Sequence, residues 1–178
     1  MTYGFHIADL FHITAAAVPE RMAIVSDQRS VTFAELDERT DQLAAALAAL
    51  GVKRGQHIGL YLSNCPEYIE TFIAAVKLGA VPFNVNYRYQ PEELVYLFNN
   101  ADTVAVVHGA AFTSVVDEIA ERIPTLRVRI AVEDSGNSIG QSVAYESLIA
   151  NAESVPVFER SEDDYLLLYT GGTTGMPK

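Results

Sequence analysis

The chain is poor in cysteine, tryptophan and basic residues. Its 178 residues include one cysteine, Cys65, and no tryptophan. A single thiol excludes an intramolecular disulfide and indicates a reducing compartment. The 12 lysines and arginines are outnumbered by 23 acidic residues, which gives a formal charge of −11. Because an acidic surface repels phosphate backbones, nucleic acid is excluded as a general partner, and an anionic ligand requires a local source of positive potential.

The sequence also lacks a long hydrophobic run. Its most apolar stretch, residues 43–52, is far shorter than the roughly 20 residues of a membrane-spanning helix. The first twenty residues have no basic leader and carry Asp9 and Glu20, so they do not predict a signal peptide. Apolar residues still make up 49% of the chain, enough for a sizeable core. We therefore expect a soluble, cytoplasmic protein.

Strand-like and helix-like patterns alternate along most of the chain. The sequence begins with a predicted helix over 7–18 and a hairpin over 22–33, and Thr32 and Glu35 are spaced as a capping box for a helix over 33–50. Five apolar runs then predict strands over 57–62, 80–85, 103–108, 127–132 and 164–170. The segments between them predict helices over 66–78, 91–100, 112–123 and 144–151. This alternation predicts an α/β fold with a parallel-rich sheet and flanking helices.

The last predicted strand is continuously apolar at its centre, which is typical of a strand covered on both faces. Two polar segments, 133–142 and 151–164, are predicted to be surface loops or linkers.

Most candidate catalytic groups are better explained as structural residues. Gly136–Gly140 has the spacing of a hydrolase nucleophile elbow around Ser138. That motif requires a preceding strand and a later histidine, whereas acidic residues precede Ser138 and all four histidines come before it. The histidines have no metal-ligand spacing, and we predict no metal site. His57 and His108 are predicted to lie at the edge of the core, and Cys65 to be an inert, buried thiol.

The end of the chain, "YTGGTTGMPK", is different in character. Its glycines allow main-chain amides to approach an anion, its threonines add hydroxyl donors, and Lys178 adds a positive charge. The spacing matches neither a Walker A loop nor the dinucleotide fingerprint. A simple glycine turn would explain the glycines but not the three threonines and the lysine, so phosphate binding is favoured. The residues concerned are Thr170, Gly171, Gly172, Thr173, Thr174, Gly175 and Lys178.

This terminal motif resembles the phosphate-loop signature of adenylate-forming enzymes, the superfamily of acyl-CoA synthetases, luciferases and peptide-synthetase adenylation domains. Residues 31–36 ("VTFAEL") and 76–86 ("VKLGAVPFNVN") resemble earlier motifs of the same family. The stretch 84–102 looks especially like actinobacterial fatty-acyl and steroid-side-chain CoA ligases. The resemblance covers nearly the whole chain, and it implies the N-terminal subdomain of an adenylate-forming enzyme.

The resemblance also implies a reaction and a ligand set. In this family a carboxylic acid reacts with Mg²⁺–ATP to form an acyl-adenylate, and coenzyme A then displaces AMP to form a thioester. The loop Thr170–Lys178 would hold the β- and γ-phosphates of ATP. The chain departs from the family at Gly171, where serine is usual, so one hydroxyl donor is lost.

Family members are about three times longer, with a larger adenylation domain and a small C-terminal domain. We therefore expect residues 1–178 to be an incomplete N-terminal part of the large domain, with the catalytic residues beyond residue 178 and no turnover by the isolated chain. The alternative is a non-catalytic remnant that acts as an interaction or oligomerisation module. Self-association through surface exposed by truncation is expected in either case. The sequence does not identify the carboxylic acid.

Overall fold

A computed structural model describes residues 6–27, 29–152 and 159–169 of the chain. Within these ranges the helices are α1 (Ile7–Ala17), α2 (Phe33–Ala49), α3 (Pro66–Leu78), α4 (Pro91–Asn100), α5 (Thr113–Ile119) and α6 (Tyr145–Ala150). The strands are β1 (Met22–Val25), β2 (Ser30–Thr32), β3 (His57–Tyr61), β4 (Val81–Asn84), β5 (Thr103–Gly109), β6 (Val128–Val132) and β7 (Val143–Ala144).

The helix boundaries follow from local capping chemistry. The Thr32 hydroxyl accepts a hydrogen bond from the Glu35 amide at 3.2 Å, and the Glu35 carboxylate accepts one from the Thr32 amide at 2.8 Å. This is the predicted capping box, and it starts α2. Proline occupies the first position of α3 and of α4, where its missing N–H has no helical partner to lose. Gly79 ends α3 in a left-handed conformation with φ of 75°.

Strands β3 to β7 form one parallel sheet in the order β4-β3-β5-β6-β7, while β1 and β2 form a separate antiparallel pair. His57, at the start of β3, lies opposite both Val81 of β4 and Thr103 of β5. The amino ends of these three strands are therefore aligned, and their carboxyl ends meet at the opposite edge, called here the carboxyl edge. The predicted α/β fold with a parallel sheet is confirmed.

Helices cover both faces of the sheet, and neighbouring residues of a strand alternate between them. Ile58 and Leu60 of β3 belong to a buried cluster with residues of α2, α3 and α6. Tyr61 of β3 and Phe83 of β4 belong to a second cluster with residues of α4 and α5. Alternation of this kind follows from the two-residue period of a strand. The core therefore has two parts, and each lies between one face of the sheet and the helices that cover it.

Three elements differ from the sequence prediction, and the first two are α5 and β7. The helix predicted over 112–123 is a short α-helix, α5, with a 3₁₀ turn at each end. Its last turn tightens at Ala120–Arg122, as is common at helix ends. Strand β7 was not predicted, because two residues give no readable period.

The third difference concerns the strand predicted over 164–170. Residues 164–169 form no strand, and residue 170 lies outside the described ranges. Leu166 is 38% exposed and Leu168 is 77% exposed. The expectation of a strand covered on both faces is therefore wrong for the described residues. Only one side of this segment meets the core, since Leu167 and Tyr169 pack against the second cluster.

Candidate functional site

The predicted phosphate-binding residues lie outside the described part of the chain. These residues are Thr170, Gly171, Gly172, Thr173, Thr174, Gly175 and Lys178. Their role stays a prediction, and the last described residue is Tyr169, which precedes Thr170. The position of Tyr169 is therefore the first observation that bears on the site.

Residues 165–169 run from the amino edge of the sheet towards the carboxyl edge. At one end, the Tyr165 hydroxyl lies 3.2 Å from Nε2 of His57, the first residue of β3. At the other, the Tyr169 ring lies 5.8 Å from the ring of Phe83 in β4, measured between centroids. The Tyr169 hydroxyl donates a hydrogen bond to Oδ1 of Asn100 at 2.6 Å. Tyr169 is thus fixed beside β4, and the chain continues from there towards residue 170.

Tyr169 also lines a cleft of about 460 Å³ beyond the ends of β3 and β4. The helices that follow these two strands, α3 and α4, contribute to opposite clusters and so leave towards opposite faces of the sheet. In open α/β sheets a crevice forms at the carboxyl edge where successive connections separate in this way. The cleft is lined by Leu62, Asn64, Tyr68, Asn84, Val85, Asn86, Tyr87, Tyr89 and Tyr169.

The polar groups of the cleft are amides and phenols. The Tyr68 hydroxyl donates a hydrogen bond to Oδ1 of Asn84 at 3.3 Å, which joins the start of α3 to the end of β4. Oδ1 of Asn86 accepts a hydrogen bond from the Arg88 amide at 3.0 Å and shapes the turn that follows β4. Burial raises the pKa of Tyr68, and burial is also the main cause of the raised pKa of Tyr169. Both phenols are therefore neutral hydrogen-bonding groups at pH 7.

No carboxylate, imidazole or cation of the described residues lines this cleft. Its aromatic rings and neutral donors can hold a ligand by stacking, apolar contact and hydrogen bonds. Because the Tyr68 and Tyr169 phenols stay protonated at neutral pH, neither is a general base there. The cleft therefore fits a binding surface, and charge recognition would have to come from elsewhere in the protein.

The alternative site residues have structural roles. Ser138 lies in an exposed loop between β6 and β7, and the carboxylate of Asp134, not a strand, orders that loop through hydrogen bonds to the amides of Gly136 and Asn137. Burial raises the pKa of the Cys65 thiol to about 11, so the thiolate nucleophile is scarce at neutral pH. The interpretations of Ser138 as a loop residue and of Cys65 as an inert thiol are consistent with this structure.

The two strand-end histidines also have structural partners. His108 is fully buried, and its Nε2 lies 2.8 Å from the Ser142 hydroxyl. Burial is the main cause of its lowered pKa, which favours the neutral imidazole. His57 is partly buried, and its Nδ1 contacts the carbonyl oxygen of Ala101. Both residues lie at or next to a strand end, as predicted. The expected place at the edge of the core fits His57, but it is wrong for His108, which is 0% exposed.

Metal-binding groups and membrane-spanning helices are both absent from residues 6–27, 29–152 and 159–169. Over these ranges, no three His, Cys, Asp or Glu side chains gather as a group that could hold a metal ion. Within the same part of the chain, the helices are too short or too polar to cross a membrane.

Sequence reasoning located the terminal loop but missed the cleft beside it. Tyr68 and Asn84 come from different elements, and nothing in the sequence pairs them. The available signal was position. Asn64 and Asn86 follow predicted strands and Asn84 lies near the end of one, where the carboxyl edge of a parallel sheet should lie.

Comparison with known proteins gives a consistent result. A 3-oxocholest-4-en-26-oate–CoA ligase of Rhodococcus rhodochrous is 41% identical over 179 residues, covering 98% of this chain and 32% of that protein. A medium/long-chain-fatty-acid–CoA/3-oxocholest-4-en-26-oate–CoA ligase of Mycolicibacterium smegmatis is 38% identical, covering 98% of this chain and 32% of that protein. The chain thus spans about a third of the length of these curated relatives.

A solved structure shows the same fold. The long-chain-fatty-acid–CoA ligase of Archaeoglobus fulgidus superposes with a TM-score of 0.83 at 26% identity, covering 100% of this chain and 37% of that chain. The family model described as "AMP-binding enzyme" matches residues 11–178, which is most of the sequence and includes the terminal glycine- and threonine-rich loop. The chain therefore belongs to the AMP-binding enzyme family, the adenylate-forming enzymes that its terminal motif resembles.

Proposed function

We propose that residues 1–178 correspond to the N-terminal part of an ATP-dependent carboxylic acid–CoA ligase. The observation that carries this proposal is the 41% identity to a CoA ligase across 98% of the chain. The position of Tyr169 at the carboxyl edge supports it, because the predicted phosphate loop begins at the next residue and ligands of open parallel sheets bind at that edge.

The reaction would proceed in two displacements. A carboxylate oxygen of the acid attacks the α-phosphorus of ATP, the bond to the bridging oxygen breaks, and pyrophosphate leaves. The thiol of coenzyme A then attacks the acyl carbon, AMP leaves, and the thiol proton passes to solvent or a base. In both steps the protein must bind and orient charged phosphates.

The terminal loop would supply that recognition. Main-chain amides of Gly171, Gly172 and Gly175 would donate to the β- and γ-phosphates, together with the hydroxyls of Thr170, Thr173 and Thr174. Lys178 would contribute a positive charge to the loop. Mg²⁺ enters the proposal only as the ion that accompanies ATP, since the described residues bring together no set of metal ligands.

The acid is proposed to have a large apolar body. The names of the relatives mention steroid-side-chain and medium- to long-chain fatty acids. The uncharged, tyrosine-rich cleft beside Tyr169 is compatible with such a substrate because it offers apolar and aromatic contact. We further propose a cytoplasmic location, where ATP and coenzyme A are available.

We also propose that the isolated chain binds ATP weakly and does not complete the reaction, because it spans only about a third of its relatives. The alternative, a non-catalytic interaction or oligomerisation module, draws support from the exposure of Leu166 and Leu168. Self-association through this surface is expected in either case.

Two measurements on the 178-residue chain test these proposals. Pyrophosphate release should be absent with ATP and fatty or steroid acids, and robust release would contradict the proposal that the chain is incomplete. Light scattering at increasing concentration should show self-association that weakens in a Leu168→Lys variant. A monodisperse monomer at high concentration would count against association.

A further inference from the structure

The segment that leads to the predicted phosphate loop is attached to the fold mainly through side chains. Residues 164–169 form no strand with the parallel sheet. Their position therefore depends on side-chain packing of Leu167 and Tyr169 and on contacts at the amino edge, where residues 159–165 reach the turns that precede β3 and β4. Asp164 is the centre of these contacts.

The Asp164 carboxylate is occupied on both oxygens. Oδ1 forms an ion pair with Nη2 of Arg54, which lies in the turn between α2 and β3. Oδ2 accepts hydrogen bonds from Nε2 of His6 at 3.1 Å and from the Ser161 amide at 3.2 Å. Nδ1 of His6 accepts from the Ala8 amide at 3.2 Å, which places the ring proton on Nε2, towards Asp164. We call Arg54, His6 and Asp164 the Asp164 cluster.

Arg54 holds the same segment at a second point. Its Nη1 donates a hydrogen bond to the carbonyl oxygen of Glu159 at 2.5 Å. One guanidinium thus binds two groups of the segment that are five residues apart, a geometry that the planar fork of arginine allows and a lysine ammonium does not reproduce. An ion pair between Arg160 and Asp9 of α1 adds a further link.

The turn that carries Arg54 is itself fixed. The Gly55 amide donates a hydrogen bond to the carbonyl oxygen of Gly79 at 2.8 Å, which joins the turns before β3 and β4. Gly79 has φ of 75°, and a Cβ atom there would lie 3.1 Å from Cγ of Arg54. Glycine at this position therefore leaves room for the arginine stem to lie across the turn.

We propose that the Asp164 cluster positions the chain for ATP, so that Arg54, His6 and Asp164 are positioning residues for the phosphate loop. The segment between the cluster and the loop is short, and Tyr169 is packed on Phe83 at its far end. Displacement at Asp164 would be transmitted along this short segment to Thr170. This inference rests on the proposed function, because it takes the loop to be the site of the ATP phosphates.

Two readouts test the proposal on the 178-residue chain. The chain has no tryptophan, and Leu168 is largely exposed, so Leu168→Trp introduces a single fluorescent reporter between the cluster and the loop. Time-resolved anisotropy of this reporter measures how firmly the segment is held. A titration with Mg²⁺–ATP, followed by calorimetry in the chain without the reporter, measures binding.

Arg54→Ala and Asp164→Asn should both lower the residual anisotropy of the reporter. A loop that is correctly placed only one tenth of the time binds its ligand about tenfold more weakly, and we expect a rise of this order in the dissociation constant for ATP. Arg54→Lys keeps the positive charge and loses the contact with the Glu159 carbonyl oxygen. Its reporter anisotropy and its ATP affinity should both lie between those of the wild type and of Arg54→Ala. This conservative variant keeps the test valid if Arg54→Ala fails to fold. The double variant Arg54→Ala/Asp164→Asn should lose less than the sum of the two single losses, because both single variants remove the same Arg54–Asp164 ion pair.

The matched control is Arg122→Ala. Arg122 forms an ion pair with Glu92 at 2.6 Å, and the arginine side chains have similar exposure, 44% for Arg122 and 39% for Arg54. This control should leave reporter anisotropy and ATP affinity unchanged. A role in overall stability alone would lower the melting temperature of the Arg54 variants without changing either readout.

The outcomes separate this inference from the proposed function. Unchanged reporter anisotropy in Arg54→Ala and Asp164→Asn would overturn the inference. A lower residual anisotropy of the reporter with unchanged ATP affinity would overturn the link to the phosphate loop. If the wild-type chain binds no ATP, the proposed function fails and this link fails with it, while the anisotropy still decides whether the cluster anchors the segment.

Discussion

Strand β3 and the segment Tyr165–Tyr169 have the same length, but the fold holds them differently. β3 lies between β4 and β5 and is hydrogen-bonded to both. Its Leu60 is 0% exposed. The segment makes no strand pairing, and its Leu168 is 77% exposed. The body of the domain is therefore held by backbone pairing and two-sided burial, and the approach to the loop is held by side chains on one side.

The strongest test of this difference is one substitution made in both places. Leu60→Ala should lower the free energy of unfolding by about 2–5 kcal/mol, because it removes buried methyl groups and leaves a cavity. Leu168→Ala should change it by less than about 0.5 kcal/mol, as is usual for exposed positions. Urea unfolding monitored by circular dichroism measures both. Equal losses would show that Leu168 is buried in solution, for example by self-association.

A smaller difference is expected for two tyrosine hydroxyls. The Tyr145 hydroxyl is buried and donates to Oε2 of Glu70 at 3.0 Å, beside the guanidinium of Arg39. Tyr145→Phe should cost about 1.5–3 kcal/mol of unfolding free energy, the range for a hydrogen bond to a charged group.

The matched change, Tyr169→Phe, removes a hydrogen bond to the neutral amide of Asn100. It should cost about 0.5–1 kcal/mol. Thermal unfolding of both variants at one pH provides the comparison. A larger loss in Tyr169→Phe than in Tyr145→Phe would contradict the view that the segment contributes little to global stability.

The smallest predicted effect concerns pH. Burial in β5 lowers the pKa of His108 below its ordinary value of 6.5. The unfolded chain then binds the proton more readily, so the stability due to neutral His108 is full above pH 6.5 and is lost as pH falls below it.

Wild-type unfolding free energy should therefore decrease between about pH 7 and pH 5.5, and less so in His108→Gln. An unchanged slope in His108→Gln would contradict a buried neutral imidazole.

Regular elements with local signals could be predicted from the sequence. The ranges 66–78 and 91–100 agree with α3 and α4 because proline marks the first residue of each helix, and Gly79 marks the end of α3. The capping box at Thr32 and Glu35 is also a local pattern, complete within four residues. Four of the five strands predicted for the sheet are present for a similar reason, since each is bounded by turn residues.

Features that depend on distant partners could not be predicted. The apolar sequence of residues 165–168 does not reveal that Leu168 is 77% exposed and that Leu166 is only partly covered. The contact between Tyr68 and Asn84 and the ion pair between Arg54 and Asp164 join residues far apart in the chain. Conversely, the glycine- and threonine-rich loop was found from sequence alone, and its contacts with phosphate stay a prediction.

The most direct test of the central claim is an ATP titration of the 178-residue chain and of Lys178→Ala, with Lys53→Ala as the control. Lys53 is exposed in the turn before β3, outside the cleft and the Asp164 cluster. We predict weak ATP binding by the wild type and by Lys53→Ala. Loss of Lys178 should weaken binding by at least about tenfold, since a hydrogen bond to a charged group contributes about 1.5–3 kcal/mol. Equal affinity of Lys178→Ala and Lys53→Ala, or no binding by the wild type, would contradict the assignment of the terminal loop to the phosphates of ATP.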